Sequence, residues 1–191
     1  MGLDKRIGSR FLRAGPAYGG SCFPKDTKAI TTTADKFNTN LSVIKSVIKS
    51  NENRSLLLLK RVFHLLKGKV KNKKICFLGV TFKANTDDMR DSSSLSMIPS
   101  LVRKGAKVNY YDPTGEKNEF KKIKNVNFSK NIKSAIKDSD LVIIHTEWND
   151  FKTINFNKDV SNKKFILFDM RNIYSPVKMK DLKINYFGVG H

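Results

Sequence analysis

Cysteine is close to absent: Cys22 and Cys76 are the two in 191 residues, too few for a disulfide framework or a cysteine-built metal cluster. No stretch approaches the ~20 consecutive apolar residues that a membrane-spanning helix requires. The start, Met1-Gly2-Leu3-Asp4-Lys5-Arg6, has no apolar core behind it such as a secretory leader carries. These absences give the expectation of a reduced, cytoplasmic protein with no membrane attachment and no bound metal. Acid is scarce as well: 17 Asp and Glu stand against 37 Lys and Arg, a net charge of +20. A basic surface attracts nucleic-acid phosphate, and a basic cleft concentrates small anions. The lysines, however, are spread with Asn and Ile through every segment, as compositional drift would leave them. No zinc-finger spacing, RNA-binding aromatic motif or helix-turn-helix pattern accompanies them. Small anionic ligands rank ahead of nucleic acid, which is not expected as a partner.

What is present concentrates in Gly15-Pro16-Ala17-Tyr18-Gly19-Gly20-Ser21-Cys22-Phe23-Pro24-Lys25-Asp26. Glycines let the backbone approach a ligand closely or adopt positive φ. Pro24 suits the first position of a helix. A cysteine beside the positive end of a helix has its thiolate favoured, and the thiolate is the nucleophile. Asp26, four residues on, is close enough to handle a proton or a water. The bland alternative is a glycine turn, a capped helix and an incidental cysteine, and the spacing alone leaves both open.

Along the chain, residues 1–23 have no period of their own. From Pro24 to about Lys67 the pattern is helical: Leu41, Ile44 and Ile48 fall on one stripe, which Leu58 or Leu59, Val62 and Leu65 continue after a polar break at Asn51–Asn53. That length exceeds an ordinary globular helix, so it is expected to divide into two or more helices or to pack on a partner. Lysine-rich Gly68–Lys74 reads as a linker. Beyond it, apolar strands at 75–80, 108–111, 141–144 and 165–168 alternate with helical stretches at 92–104, 132–136 and 148–154, the first ending at Gly105 as a C-cap. Continuous apolar strands between helices indicate a parallel sheet covered on both faces. The expected fold class is therefore α/β: a helical connecting segment in a unit spanning 1–70, then a Rossmann-like parallel-sheet domain over 71–191. Ligands are expected at the C-terminal strand ends, although no G-x-G-x-x-G follows the first strand. Cys76 and His145 read as buried structural residues, and Trp148 as an anchor for its helix.

The loop after the first strand offers Phe82 for stacking and Lys83 and Arg90 for anions, and Arg171 stands at another strand end. Singly, each cation could be solvated surface. Taken in order, Gly-Gly-Ser-Cys-Phe-Pro-Lys-Asp, Thr-Phe-Lys-Ala-Asn-Thr-Asp-Asp-Met-Arg-Asp-Ser, Tyr-Asp-Pro, Thr-Glu-Trp and Arg-Asn-Ile-Tyr resemble the UDP-glucose/GDP-mannose dehydrogenase family over the whole chain. The phenylalanine after Cys22 and the Thr-Asp-Asp-Met-Arg-Asp run are most like its UDP-glucose-oxidising members.

The resemblance implies oxidation of a nucleotide sugar's C6 alcohol to a carboxylate with two NAD. It places the nucleophile on Cys22, which would pass through a thiohemiacetal and a thioester, with Asp26 positioning or activating water. Lys25 and Arg90 would face the cofactor. The UDP-sugar would be lined by Phe11, Leu12, Arg13, Ala14, Gly15, Gly19, Phe82, Lys83 and Arg171, and Arg6 would be lent to a neighbouring subunit's substrate. The helices between Pro24 and Lys67 correspond to a dimerising segment, implying a homodimer or higher assembly. Two departures stand out. Ala17 replaces a frequent glycine. The family's N-terminal nucleotide-binding half, with its catalytic glutamate, lysine and asparagine, has no counterpart in these residues. Little turnover is then expected from the chain alone, with a separately encoded N-terminal partner, a remnant or an expressed fragment as the competing explanations. A non-catalytic nucleotide-sugar-binding or dimerising module, and a related GDP-mannose or UDP-N-acetylmannosamine enzyme, are the alternative functions.

Overall fold

In the computed structural model, which describes residues 1–190 without the side chains of Arg10 and Phe11, a 3₁₀ turn at Ser9–Leu12 leads into the glycine-rich loop. Two helices follow, α1 (Phe23–Lys36) and α2 (Ser42–Leu65). The division of the long helical pattern lies at Phe37–Leu41, and the expected break at Asn51–Asn53 is the middle of α2. The reason is a C-terminal cap without glycine. Asn38 takes φ 52, Thr39 N–H bonds Ala34 O at 2.8 Å and Asn38 N–H bonds Asp35 O at 3.3 Å, the paired bonds that close a helix on a left-handed residue. α2 ends in the same way on Lys67, where Gly68 N–H reaches Phe63 O at 2.8 Å.

The rest is β1 (Lys74–Leu78), α3 (Ser94–Arg103), β2 (Lys107–Tyr111), α4 (Asn118–Lys121), β3 (Val126–Phe128), α5 (Ile132–Ile136), β4 (Leu141–Ile144), α6 (Phe156–Asp159), β5 (Ile166–Asp169), α7 (Pro176–Asp181) and β6 (Asn185–Gly188). Gly105 closes α3 as expected, with φ 85 and Ala106 N–H on Leu101 O at 3.1 Å. Asn149–Thr153 is a 3₁₀ turn within the stretch expected to be helical. β3 and β6 are additions to the expected strands.

All five strand pairings are parallel, in the order β3-β2-β1-β4-β5-β6. Strand alternation sends Ile75, Phe77, Leu141 and Ile143 to one face, against Leu58, Val62, Met97, Ile98 and Leu101 of α2 and α3. Cys76, Leu78, Val142 and Ile144 face the other side, against Ala135, Ile136, Phe151 and Phe156. Burial on both faces explains why these strands read as unbroken apolar runs. Cys76 is completely buried, and burial pushes its thiol pKa up. No described helix is long and apolar enough to cross a membrane.

The strand order reverses between β1 and β4, which pair Leu78 with Ile144. In open parallel sheets the crevice outside such a reversal is where ligands bind.

Candidate functional site

The loop leaving β1 and the glycine-rich loop before α1 meet at this edge. Gly20 N–H donates to Arg90 O at 2.8 Å. Gly20 has φ +87, and a Cβ there would lie 2.7 Å from the Phe82 ring; one on Gly19 would lie 2.7 Å from Asp91 O. Only residues without side chains let the two loops close to this distance. From the other side Asn51 of α2 brackets the loop, donating to Tyr18 O at 3.1 Å and accepting from Tyr18 N–H at 2.9 Å. Ala17 is absent from the residues with positive φ, so the loss of a glycine there leaves the turn unstrained. Behind the loop, Tyr18, Pro24, Asn51, Asp91 and Ser93 line a cavity of ≈ 350 Å³.

Cys22 is exposed and is the N-cap residue of α1; its Sγ lies 3.6 Å from Ser21 Oγ. Pro24 is the second helical residue, one place later than expected. The helix N-terminus beside the thiol and the carboxylate in its first turn are therefore both present. Asp26 is exposed and lies 3.3 Å from Lys25 Nζ. Phe82 is half-buried and Lys83 exposed, with Nζ 5.3 Å from the Phe82 ring centre.

Arg90 is exposed and bonded to its own neighbour. Its Nε and Nη2 donate to Asp88 at 3.0 and 2.8 Å. This pairing holds the Asp88 carboxyl below its ordinary range and raises the Arg90 pKa, to which the charge of Cys22 adds a smaller contribution. Arg6 is paired in the same manner, its Nη2 2.8 Å from Asp4 Oδ2.

Arg171 differs. It is largely buried, and donates from Nε to His145 O at 3.0 Å and from Nη2 to Phe82 O at 2.7 Å. Glu147 Oε2 sits 2.9 Å from Nε as an ion-pair partner without hydrogen-bond alignment. Burial lowers the Arg171 pKa, and Glu147 and Asp169 oppose that shift. A Cβ on Gly15 would stand 2.9 Å from Arg171 Nη1, and Arg54 Nη2 lies 3.3 Å from Gly15 O. The structure therefore brings Gly15, Gly19, Phe82, Arg90 and Arg171 into one neighbourhood with the cysteine loop. Leu12 and Arg13 are exposed and Ala14 half-buried just before that loop. Arg6 makes its described contacts with Asp4 alone. The Phe11 side chain lies outside the described residues.

Sequence reasoning gave His145 a structural role alone and Thr146, Glu147 and Asp169 none, yet all four stand at the strand edge that holds Arg171. The signal that could have found them is position: each ends or follows a central strand. Among the described residues no group of three or more His, Cys, Asp or Glu could hold a metal.

Two family models match the chain. The UDP-glucose/GDP-mannose dehydrogenase family, UDP binding domain, covers residues 76–176, and the central domain of the same family covers 1–53. UDP-glucose 6-dehydrogenase of Rhizobium meliloti is 40% identical over 191 residues, which is 100% of this chain and 44% of that protein. UDP-glucose 6-dehydrogenase YwqF of Bacillus subtilis is 39% identical over 193 residues, 43% of its length. The solved structure of a UDP-glucose dehydrogenase from Pyrobaculum islandicum superposes with a TM-score of 0.81 at 30% identity, covering 98% of this chain and 41% of that one. The chain thus spans less than half the length of the relatives it matches.

Proposed function

This chain belongs to the UDP-glucose/GDP-mannose dehydrogenase family, and we propose that it forms the nucleotide-sugar-binding and cysteine-bearing part of a UDP-glucose 6-dehydrogenase. The observation that carries the proposal is the contact of Gly19 and Gly20 with Phe82, Arg90 and Asp91, which sets Cys22 beside the ligand edge of the sheet. Cys22 thiolate adds to the C6 aldehyde of the sugar to give a thiohemiacetal. Removal of its hydride leaves a thioester, and Asp26, in the first turn of the same helix, orients the water that hydrolyses it. Phe82, Lys83 and Arg171 bind the UDP-sugar together with Leu12–Gly15, and Arg6 serves a neighbouring protomer.

NAD, when bound, accepts the hydrides. The sheet of this chain does not fit a dinucleotide in its own crevice. The Val80 N–H, in the turn where a phosphate would sit, is taken by Asp112 Oδ2 at 2.9 Å, and Asp112 is itself 1% exposed. Arg90 and Lys25 are exposed and fit an anion presented from outside, so the cofactor belongs to a second nucleotide-binding domain, on the same or a separate polypeptide. We also place the division between the helical unit and the sheet domain at residues 70–71, and assign homodimerisation to α1 and α2.

The test is NADH formation from UDP-glucose by the chain alone and mixed with an N-terminal half of the family. Activity is expected on mixing and lost in Cys22→Ala. Turnover that survives Cys22→Ala rejects the nucleophile. Parallel assays with GDP-mannose and UDP-N-acetylmannosamine decide the sugar.

A further inference from the structure

His145 follows β4 at the point where Arg171 and the Phe82 loop meet, and the chemistry above gives it no task. Its side chain is 0% exposed. Nε2 lies 2.8 Å from Ser93 Oγ and Nδ1 3.2 Å from Thr146 Oγ1. Thr146 Oγ1 in turn donates to Thr81 O at 2.8 Å.

These bonds fix the tautomer. A carbonyl cannot donate, so the one Thr146 hydroxyl proton is committed to Thr81. Thr146 Oγ1 must then accept from Nδ1–H, which leaves Nε2 bare to accept from the Ser93 hydroxyl. The chain of protons runs one way, from Ser93 through His145 and Thr146 to Thr81. Burial, with the Arg171 charge, lowers the His145 pKa to about 3, so the ring is neutral at physiological pH and is no acid–base catalyst there.

The backbone of the same residue supplies a second tie. His145 O accepts Arg171 Nε, and Arg171 Nη2 donates to Phe82 O, the residue after Thr81. Ring and carbonyl thus end on consecutive backbone carbonyls, Thr81 O through Thr146 and Phe82 O through Arg171. Ser93, at the N-cap of α3, joins that helix to the circuit. With Nε and Nη2 occupied, Nη1 is the part of the guanidinium that faces Gly15.

We propose that His145 is a positioning residue for Arg171: its neutral ring locks β4, the Thr81–Phe82 turn and the start of α3 together, so that Nη1 is presented to a diphosphate. The proposal rests on the reading that Arg171 meets the nucleotide sugar. Calorimetric titration of UDP and of uridine into the wild type, His145→Phe, His145→Gln and Ser93→Ala tests it. Loss of one buried hydrogen bond is expected to weaken UDP about tenfold in His145→Phe and Ser93→Ala. Uridine, which has no phosphate, should change by less than about twofold over the same variants. The glutamine amide oxygen can still accept from Ser93, so His145→Gln should recover most of the UDP affinity. Unchanged UDP binding in His145→Phe, or equal losses for UDP and uridine, overturns the proposal. If the wild type binds no UDP, the functional reading fails instead. Positioning is then judged by NMR exchange of Arg171 Nε–H, which should be slow in the wild type and about tenfold faster in Ser93→Ala. Equal rates overturn it.

Discussion

The tripeptide Asp-Met-Arg occurs twice, at 88–90 and 169–171, and the two copies behave oppositely. In both, the arginine N–H donates to the aspartate Oδ1, at 2.9 and 3.0 Å, and the methionine is buried. There the likeness stops. Arg90 lies in solvent and folds back onto Asp88, whereas Arg171 turns inward to His145 O and Phe82 O and leaves Asp169 to other donors. Asp169 accepts from Tyr174 N–H and Tyr186 Oη at 3.1 and 3.2 Å. Identical local chemistry thus serves a solvent-facing cation at one site and a buried strut at the other. Water decides between them: an exposed arginine gains little by leaving its nearest carboxylate, while a buried one must satisfy every carbonyl within reach.

The strongest way to break this comparison is Arg171→Met, which strands the part-buried carbonyls of His145 and Phe82 and the Glu147 carboxylate. Urea titration should show a loss of about 3 kcal/mol; a loss as small as that of an exposed arginine would erase the distinction between the copies. Gly20→Ala comes next. It places a Cβ 2.7 Å from the Phe82 ring at φ +87 and should cost roughly 2 kcal/mol, from the backbone conformation and the clash together. The same substitution should separate the cysteine loop from Arg90, read as a change in the Cys22 alkylation rate.

Acid titration sharpens the comparison further, because the two aspartates shift in opposite directions. Burial raises the Asp169 pKa above 3.8 despite its hydrogen bonds, so its protonated form is favoured by folding. Its contribution to stability is complete below 3.8 and is lost as pH rises through the native value. Asp88 is lowered below 3.8 by Arg90; its contribution is present above 3.8 and is lost as pH falls through the native value. Melting temperature against pH should therefore show Asp88→Asn destabilising most at neutral pH. Asp169→Asn should differ from the wild type less at pH 3 than at pH 7. His145 adds an acid-side effect: with its native value near 3 against 6.5 unfolded, stability falls as pH drops through that interval, and His145→Gln should flatten the slope. The smallest effect belongs to Arg90→Gln, which should lower the melting temperature slightly and by no more than Asp88→Asn does. A clear drop would make Arg90 structural after all.

Much of the sheet was legible because burial on both faces writes β1, β4 and β5 as apolar runs, and Gly105 marks the end of α3. The edge strands were not. β3 is three residues, Val126–Phe128, and β6 is four, Asn185–Gly188, with Tyr186 and Phe187 only partly buried; neither carries a long enough pattern. The helix end at Asn38 was missed because a residue other than glycine took positive φ there, whereas the end near Lys67 was expected. At the site, the cysteine loop and its Asp26 stood out through spacing, whereas His145 read as one more buried histidine.

The sequence by itself determined what depends on neighbours within a few residues or on periodicity: an α/β chain, a helix starting just after Cys22, and Asp-x-Arg turns that tie each arginine N–H to its aspartate. Only the tertiary structure decided which arginine stays in water. The partner that claims Arg171 is Phe82, 89 residues away, and a carbonyl that distant competes with the nearby carboxylate only once β1 and β5 lie in one sheet and water has been excluded between them.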